Sequence, residues 1–183
     1  MLTQTVYASP LGQLILIGGD RGVRELRFPR RGTLSGEHLR EREHLRESEC
    51  LSAAAEQLEA YFAGERRSFE LVLELAGTPF QQRVWAALRR IAYGTTTTYG
   101  AIARELSAEI PGRSAEPRAV GSAIARTPVP IVVPCHRVVG SDGSLTGYGG
   151  GLERKRALLD FEASGGDPAV LRASWEQRQL ALL

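Results

Sequence analysis

The chain has 183 residues, with 43% hydrophobic and 24% charged side chains, enough to bury one large core or two small ones and too apolar for extensive disorder. No apolar run approaches the roughly 20 residues that cross a bilayer, and Met1 to Thr5 lacks the charged-then-apolar pattern of a leader, so a cytoplasmic protein with no membrane partner is expected. The net charge of +2 conceals an asymmetry: residues 1–77 carry 10 Lys+Arg against 12 Asp+Glu, whereas residues 78–183 carry 13 against 9. The basic excess lies in the second half, as phosphate contact would require, although solvated arginines alone would look the same.

In chain order, Thr5 to Tyr7, Gln13 to Ile17 and Val23 to Phe28 read as short strands. They are separated by the turn formers Pro10-Leu11-Gly12 and Gly18 to Gly22, which predicts a β-meander. Residues 30–49 are charge-rich and read as a loop or an exposed helix. Ala54, Leu58, Tyr61 and Phe62 recur at helical spacing within a helix from Ser52 to Phe62 that Gly64 ends, and Phe69 to Leu75 alternates as a further strand. An antiparallel sheet with a helix therefore makes an α/β module of residues 1–77, in which no catalytic grouping stands out.

Thr78-Pro79-Phe80-Gln81 opens a mostly helical module spanning 78–183, because Thr78 can cap, Pro79 suits the first helical position and Gln81 completes a capping box. Phe80, Val84, Trp85, Leu88 and Ile91 give that helix one apolar face. Tyr99, Ile102, Ala103 and Leu106 predict a second helix capped by Thr98, and a polar stretch from Ser107 to Glu116 separates it from a third, Pro117 to Arg126. The last pair has the form of a helix-turn-helix. Pro128 to Pro134 reads as an apolar strand fenced by prolines, followed by helices from Leu152 to Glu162 and Asp167 to Leu183.

Chemistry centres on Cys135. Only two cysteines, Cys50 and Cys135, and three histidines, His38, His44 and His136, are present, without paired ligand spacing, so neither a disulfide nor a metal site is expected. A thiol near pKa ~8.5 is mostly protonated at neutral pH, so a nucleophilic Cys135 needs a base. His136 is adjacent, yet neighbours on an extended strand face opposite sides, and a bend or a bridging water is required. Glu162 shares a helix face with Leu158 and Leu159; it either pairs with His136 in a Glu-His-water-Cys relay or frays into solvent. Tyr148, among Gly147, Gly149 and Gly150, either donates to a ligand or sits in a simple turn. Tyr99 is either a core aromatic or faces a ligand, and Arg118, a cation at the positive end of a helix, invites a phosphate or a base stack.

These motifs, Thr78-Pro79-Phe80-Gln81, Thr98-Tyr99, Arg118-Ala119-Val120-Gly121, Pro134-Cys135-His136-Arg137-Val138, Gly147-Tyr148 and Lys155 to Glu162, resemble in order those of the O6-alkylguanine-DNA alkyltransferases. The resemblance covers residues 78–162. It implies a ribonuclease-H-like first module and a winged-helix-like helix-turn-helix in the second. It also implies irreversible transfer of an alkyl group from O6 of guanine, with O4 of thymine as a further candidate, to Cys135 of a monomer, using no cofactor and no metal. By the same resemblance His136 and Glu162 activate the sulfur and Tyr148 donates to the departing oxygen. Tyr99, Val138, Tyr148, Gly149 and Gly150 surround the base; Tyr99, Arg118, Ala119, Gly121, Ser122 and Arg137 meet duplex DNA; and Arg118 fills the vacated stack. The backbone carbonyls of Cys135 and Val138 would read the guanine amino group. The chain departs from the family pattern in a longer segment between Tyr99 and Arg118, in Pro117, in Thr127 at the position of an asparagine hinge, and in a longer tail beyond 165. Two other readings are a non-reacting binder of alkylated bases, against which Cys135 argues, and a cysteine hydrolase, for which no separate histidine lies outside the charged segment.

Overall fold

The computed structural model describes residues 2–29, 48–109 and 114–180, so the charged 30–47 segment with His38 and His44, and residues 110–113 of the polar stretch, lie outside the described residues. Strands β1 (Leu2–Ser9), β2 (Gly12–Gly19) and β3 (Gly22–Arg27) form an antiparallel sheet in sequence order. Ser9 pairs with Gly12 and Gly19 with Gly22, so each connection is a two-residue turn, and the residue that follows each turn, Gly12 or Gly22, takes a positive φ open to glycine. Helix α1 (Glu49–Phe62) packs Leu51, Ala54 and Leu58 against Leu14 and Leu16 of β2. The sheet-plus-helix module is as expected.

Phe69 to Leu75 is not a ladder strand. Among the described residues its only strand-like contact is a parallel bridge of Leu73 with Val23, in which Val23 N donates to Val72 O and Glu74 N to Val23 O, both at 2.9 Å. The alternation still sorts the side chains, because Phe69, Leu71, Leu73 and Leu75 pack inward while Val72 is 72% exposed.

Helix α2 (Pro79–Leu88) begins with the expected capping box, Gln81 N donating to Thr78 Oγ1 and Thr78 N to the Gln81 side chain. A two-residue strand β4 (Thr97–Thr98) leads into α3 (Tyr99–Glu109), whose Ala101 N–H is capped by Thr98 Oγ1. Helix α3 therefore continues into the stretch expected to be a linker. Helix α4 (Pro117–Ile124) crosses α2, and Trp85 Nε1 donates to Ala123 O at 3.0 Å to fix that crossing. After a 3-10 turn at Cys135–Arg137 come β5 (Val138–Val139), α5 (Leu152–Ala163) and α6 (Pro168–Leu180). Among the described residues no helix is long and apolar enough to cross a membrane.

The expected strand from Pro128 to Pro134 is instead a run of turns. Prolines 128, 130 and 134 have no N–H for a ladder, and Ile131 is turned to φ 75°, a costly conformation for a β-branched residue. This run joins the two cores. Val129 and Ile131 pack with the sheet, α1, Leu158 and Phe161, whereas Val133, Cys135 and Val138 pack with α2, α3 and α4.

The joint between α1 and the α5–α6 turn is equally tight. Gly64 has φ +80°, and a Cβ there would lie 2.1 Å from Gly166 O, so Gly64→Ala is expected to cost on the order of 2–4 kcal/mol from strain plus overpacking. Denaturant unfolding measures that loss, and a midpoint equal to that of the wild type would show the contact is not required.

Candidate active site

Short parallel pairing of β4 with β5, Thr97 with Val138 and Thr98 with Val139, brings the start of α3 beside the Cys135 turn. The 3-10 turn replaces the extended backbone on which Cys135 and His136 would have faced opposite ways. With about three residues per turn, Cys135, His136 and Arg137 fan around one axis and all three are buried. Cys135 is 4% exposed and His136 is fully buried.

Glu162 is the hub. It is 2% exposed on α5, so the alternative of a frayed, solvated carboxylate is excluded. Its Oε1 meets His136 Nε2 at 3.0 Å, Arg137 Nη2 at 2.8 Å and the Tyr61 hydroxyl at 2.8 Å. Its Oε2 accepts from Arg137 Nε at 2.8 Å and from the Gly94 amide at 3.2 Å. Burial works to raise the Glu162 pKa, but the hydrogen bonds and charges of His136 and Arg137 outweigh it and hold the carboxyl well below the usual range. Burial also dominates at His136 and lowers its pKa, so the imidazole is neutral at pH 7. A neutral ring facing a carboxylate carries its proton on Nε2. Nδ1 is therefore a bare lone pair, and it is buried without a hydrogen-bond partner among the described residues.

The thiol is held in check. Burial pushes Cys135 up to about 12, while the Thr127 hydroxyl, the Lys155 charge and the amides of Cys135 and His136 favour the thiolate. Thr127 Oγ1 also donates to Ile124 O at 2.7 Å, so the residue at the hinge position secures the end of α4 as well as touching the sulfur. Lys155, the one lysine of the chain, is fully buried and donates to Val138 O at 2.6 Å and Thr146 O at 2.7 Å. The Tyr148 hydroxyl is buried without a partner among the described residues, and burial, followed by the Cys135 charge, keeps it protonated.

The remaining expected residues are placed as follows. On α4, Arg118, Ala119 and Ser122 are exposed, and the half-buried Tyr99 ring lies against the helix at Gly121, 3.7 Å from where a Cβ would be, an ordinary contact distance. The Tyr99 hydroxyl accepts from Thr146 Oγ1 at 3.0 Å, which ties α3 to the glycine-rich turn. Gly149 faces open space, and Gly150 lies between the Phe28 and Tyr148 rings. The carbonyls of Cys135 and Val138 each already accept one hydrogen bond, from Val138 N and Lys155 Nζ.

Arg137 faces inward: all three of its guanidinium nitrogens are taken, by Glu162 and by Ile91 O at 2.7 Å, and its side chain is 7% exposed, so it is an internal counter-ion of Glu162. Tyr61 was missed altogether, since it belongs to the module in which no catalytic grouping stood out and reaches Glu162 across 101 residues. No local sequence signal marks it beyond its place on the buried face of α1.

A buried thiol next in sequence to a carboxylate-held imidazole, in a helical module that follows a small α/β one, belongs to the class of proteins equipped for nucleophilic thiol chemistry. Comparison with known proteins identifies its kind. Residues 2–75 match the profile of the 6-O-methylguanine DNA methyltransferase ribonuclease-like domain, and residues 79–164 that of the DNA binding domain of the same family. The methylated-DNA–protein-cysteine methyltransferase of Mycobacterium tuberculosis H37Rv is 48% identical over 165 residues, covering 90% of this chain and 94% of that one. The constitutive enzyme of that name from Bacillus subtilis is 40% identical, covering 86% and 93%. The structure of Mycobacterium tuberculosis OGT in complex with DNA superposes with a TM-score of 0.73 at 43% identity, covering 92% of this chain and 98% of that one. The chain belongs to the 6-O-methylguanine DNA methyltransferase family, whose members repair DNA by direct reversal, with a cysteine of the protein as the methyl acceptor.

Proposed function

We propose that Cys135 is the acceptor, taking an alkyl group from O6 of guanine in double-stranded DNA once and irreversibly, with a single chain sufficing and no cofactor. The observation that carries this is the bare Nδ1 of His136, the ring nitrogen left over once Nε2 is bonded to Glu162, on the residue next to the Cys135 thiol in the buried 3-10 turn. A thiol pushed up to about 12 cannot react until its proton is taken. His136 Nδ1 accepts that proton directly or through one water, and Glu162 stabilises the imidazolium that forms. The thiolate attacks the alkyl carbon, the carbon–O6 bond breaks, and the Tyr148 hydroxyl donates to the oxygen that leaves. The proton held on His136 restores the neutral guanine, so RS–H and alkylguanine become RS–alkyl and guanine.

The duplex reading rests on the exposed first turn of α4, which carries Arg118, and on the related Mycobacterium tuberculosis protein solved with DNA. Tyr99 and Arg118 would turn the base out and fill its place. The test is intact mass after incubation with DNA containing O6-methylguanine. The expected result is a stoichiometric gain of one methyl on the peptide bearing Cys135, absent in Cys135→Ser. Tight binding with unmodified protein would instead make the chain a recognition protein.

A further inference from the structure

Helix α6 lies beyond residue 164, where the match to the family's DNA binding domain ends, and nothing in the transfer chemistry uses it. It is nonetheless fastened to the back of the site. Leu171 is buried against α5, and Ser174 Oγ donates to Asp160 Oδ2 at 2.7 Å. The next residue, Trp175, covers Arg154. The Arg154 guanidinium carbon is 5.0 Å from the Trp175 ring centroid and 4.2 Å from that of Phe28 at the end of β3, so the cation is held between two aromatic rings.

Hydrogen bonds to two carbonyls among the described residues direct this cation. Nε donates to Leu11 O in the β1–β2 turn at 2.9 Å, and Nη1 donates to Gly150 O at 2.8 Å. Gly150 is itself close-packed, since a Cβ there would lie 2.7 Å from atoms of both the Phe28 and the Tyr148 rings. The peptide unit held by Arg154 is thus two residues from Tyr148 and shares its ring contact. Adjacent residues on a helix point about 100° apart, so Lys155 grips Thr146 O on one side of the turn while Arg154 grips Gly150 O on the other.

We propose that Trp175, acting through Arg154, is a positioning residue that holds the Tyr148-bearing turn in register with Cys135, so that the C-terminal helix is a working part of the acceptor site. This rests on Tyr148 being the donor to the departing oxygen. A donor aimed at a bond that breaks only in the transition state is sensitive to small displacement, so loss of the brace slows transfer without weakening the grip on DNA.

Three variants test it: Trp175→Ala, Trp175→Phe and Ser174→Ala. The readouts are the single-turnover transfer rate at saturating methylated duplex, the Kd for that duplex, and hydrogen exchange of the 147–151 amides. Trp175→Ala is expected to transfer about tenfold more slowly at unchanged Kd, with faster exchange at 147–151 and wild-type exchange in α2. Trp175→Phe, which restores an aromatic face, returns the rate to within about twofold of wild type. Ser174→Ala, which loosens the same helix without touching Arg154, keeps the wild-type rate. Wild-type exchange at 147–151 in Trp175→Ala, an unchanged rate despite faster exchange, or an equal loss in Ser174→Ala would overturn the proposal. If the wild-type protein takes up no methyl at all, the acceptor reading fails, and the exchange data alone then decide whether Trp175 braces the turn.

Discussion

Changing Glu162 to glutamine is expected to slow methyl transfer by roughly two to four orders of magnitude, the usual worth of a positioned general base, and to destabilise the fold by about 3 kcal/mol. Both effects come from the same five donors. Glu162 accepts from Tyr61, His136, Arg137 twice and Gly94, and an amide offers only one accepting atom while turning an NH2 toward groups that already donate. Arg137 would be left as a buried cation without its counter-charge, and His136 would lose the partner that fixes its proton on Nε2. The two losses separate experimentally. Transfer is measured well below the unfolding midpoint, and stability by denaturant titration across pH. The folded-state pKa of Glu162 is depressed, so the stability it contributes is fully present above the ordinary carboxylate range and is lost as pH falls through that range toward the folded value. The acid limb of the wild-type stability curve should therefore be steeper than that of Glu162→Gln. A variant with wild-type transfer would remove His136 from the proton path.

Lys155→Met is expected to slow transfer by about a hundredfold at neutral pH, by removing the buried charge that favours the Cys135 thiolate and releasing two carbonyls. Methionine fits the volume, so the packing of α5 survives better than the electrostatics do. The sign in pH is definite. Lys155 is one of the groups that lower the Cys135 pKa against burial, so without it the thiol titrates higher still. Single-turnover rates of Lys155→Met across the pH range in which both proteins stay folded measure that loss, and a wild-type rate would show that the Lys155 charge is not needed for transfer.

Local signals in the sequence were enough for the helices and for the reactive residue. The capping box at Thr78 to Gln81 marks the start of α2, and the positions of Leu158 and Glu162 on one helix face lead to the buried carboxylate. What local pattern could not supply depends on which backbone donors are missing and which modules meet. Three prolines turn an apolar run that reads as a strand into the bend that orients Cys135 and His136. Phe69 to Leu75 has the alternation of a strand but pairs only at Leu73. Arg137 is a surface residue by composition and an internal one in fact, because the 3-10 turn swings it toward Glu162. Tyr61 could be read as core packing, while the use of its hydroxyl depends on a partner from the other end of the chain.

The bond from Tyr61 to Glu162 also ties the inheritance of the two halves together. Val129, Ile131 and Phe161 of the second module complete the hydrophobic core of the first, and the first returns a phenol to the proton relay of the second. Neither half can be exchanged for a foreign counterpart by simple recombination: a graft must bring a matching hydroxyl and matching apolar contours, or the acceptor sulfur is left beside a slackened base.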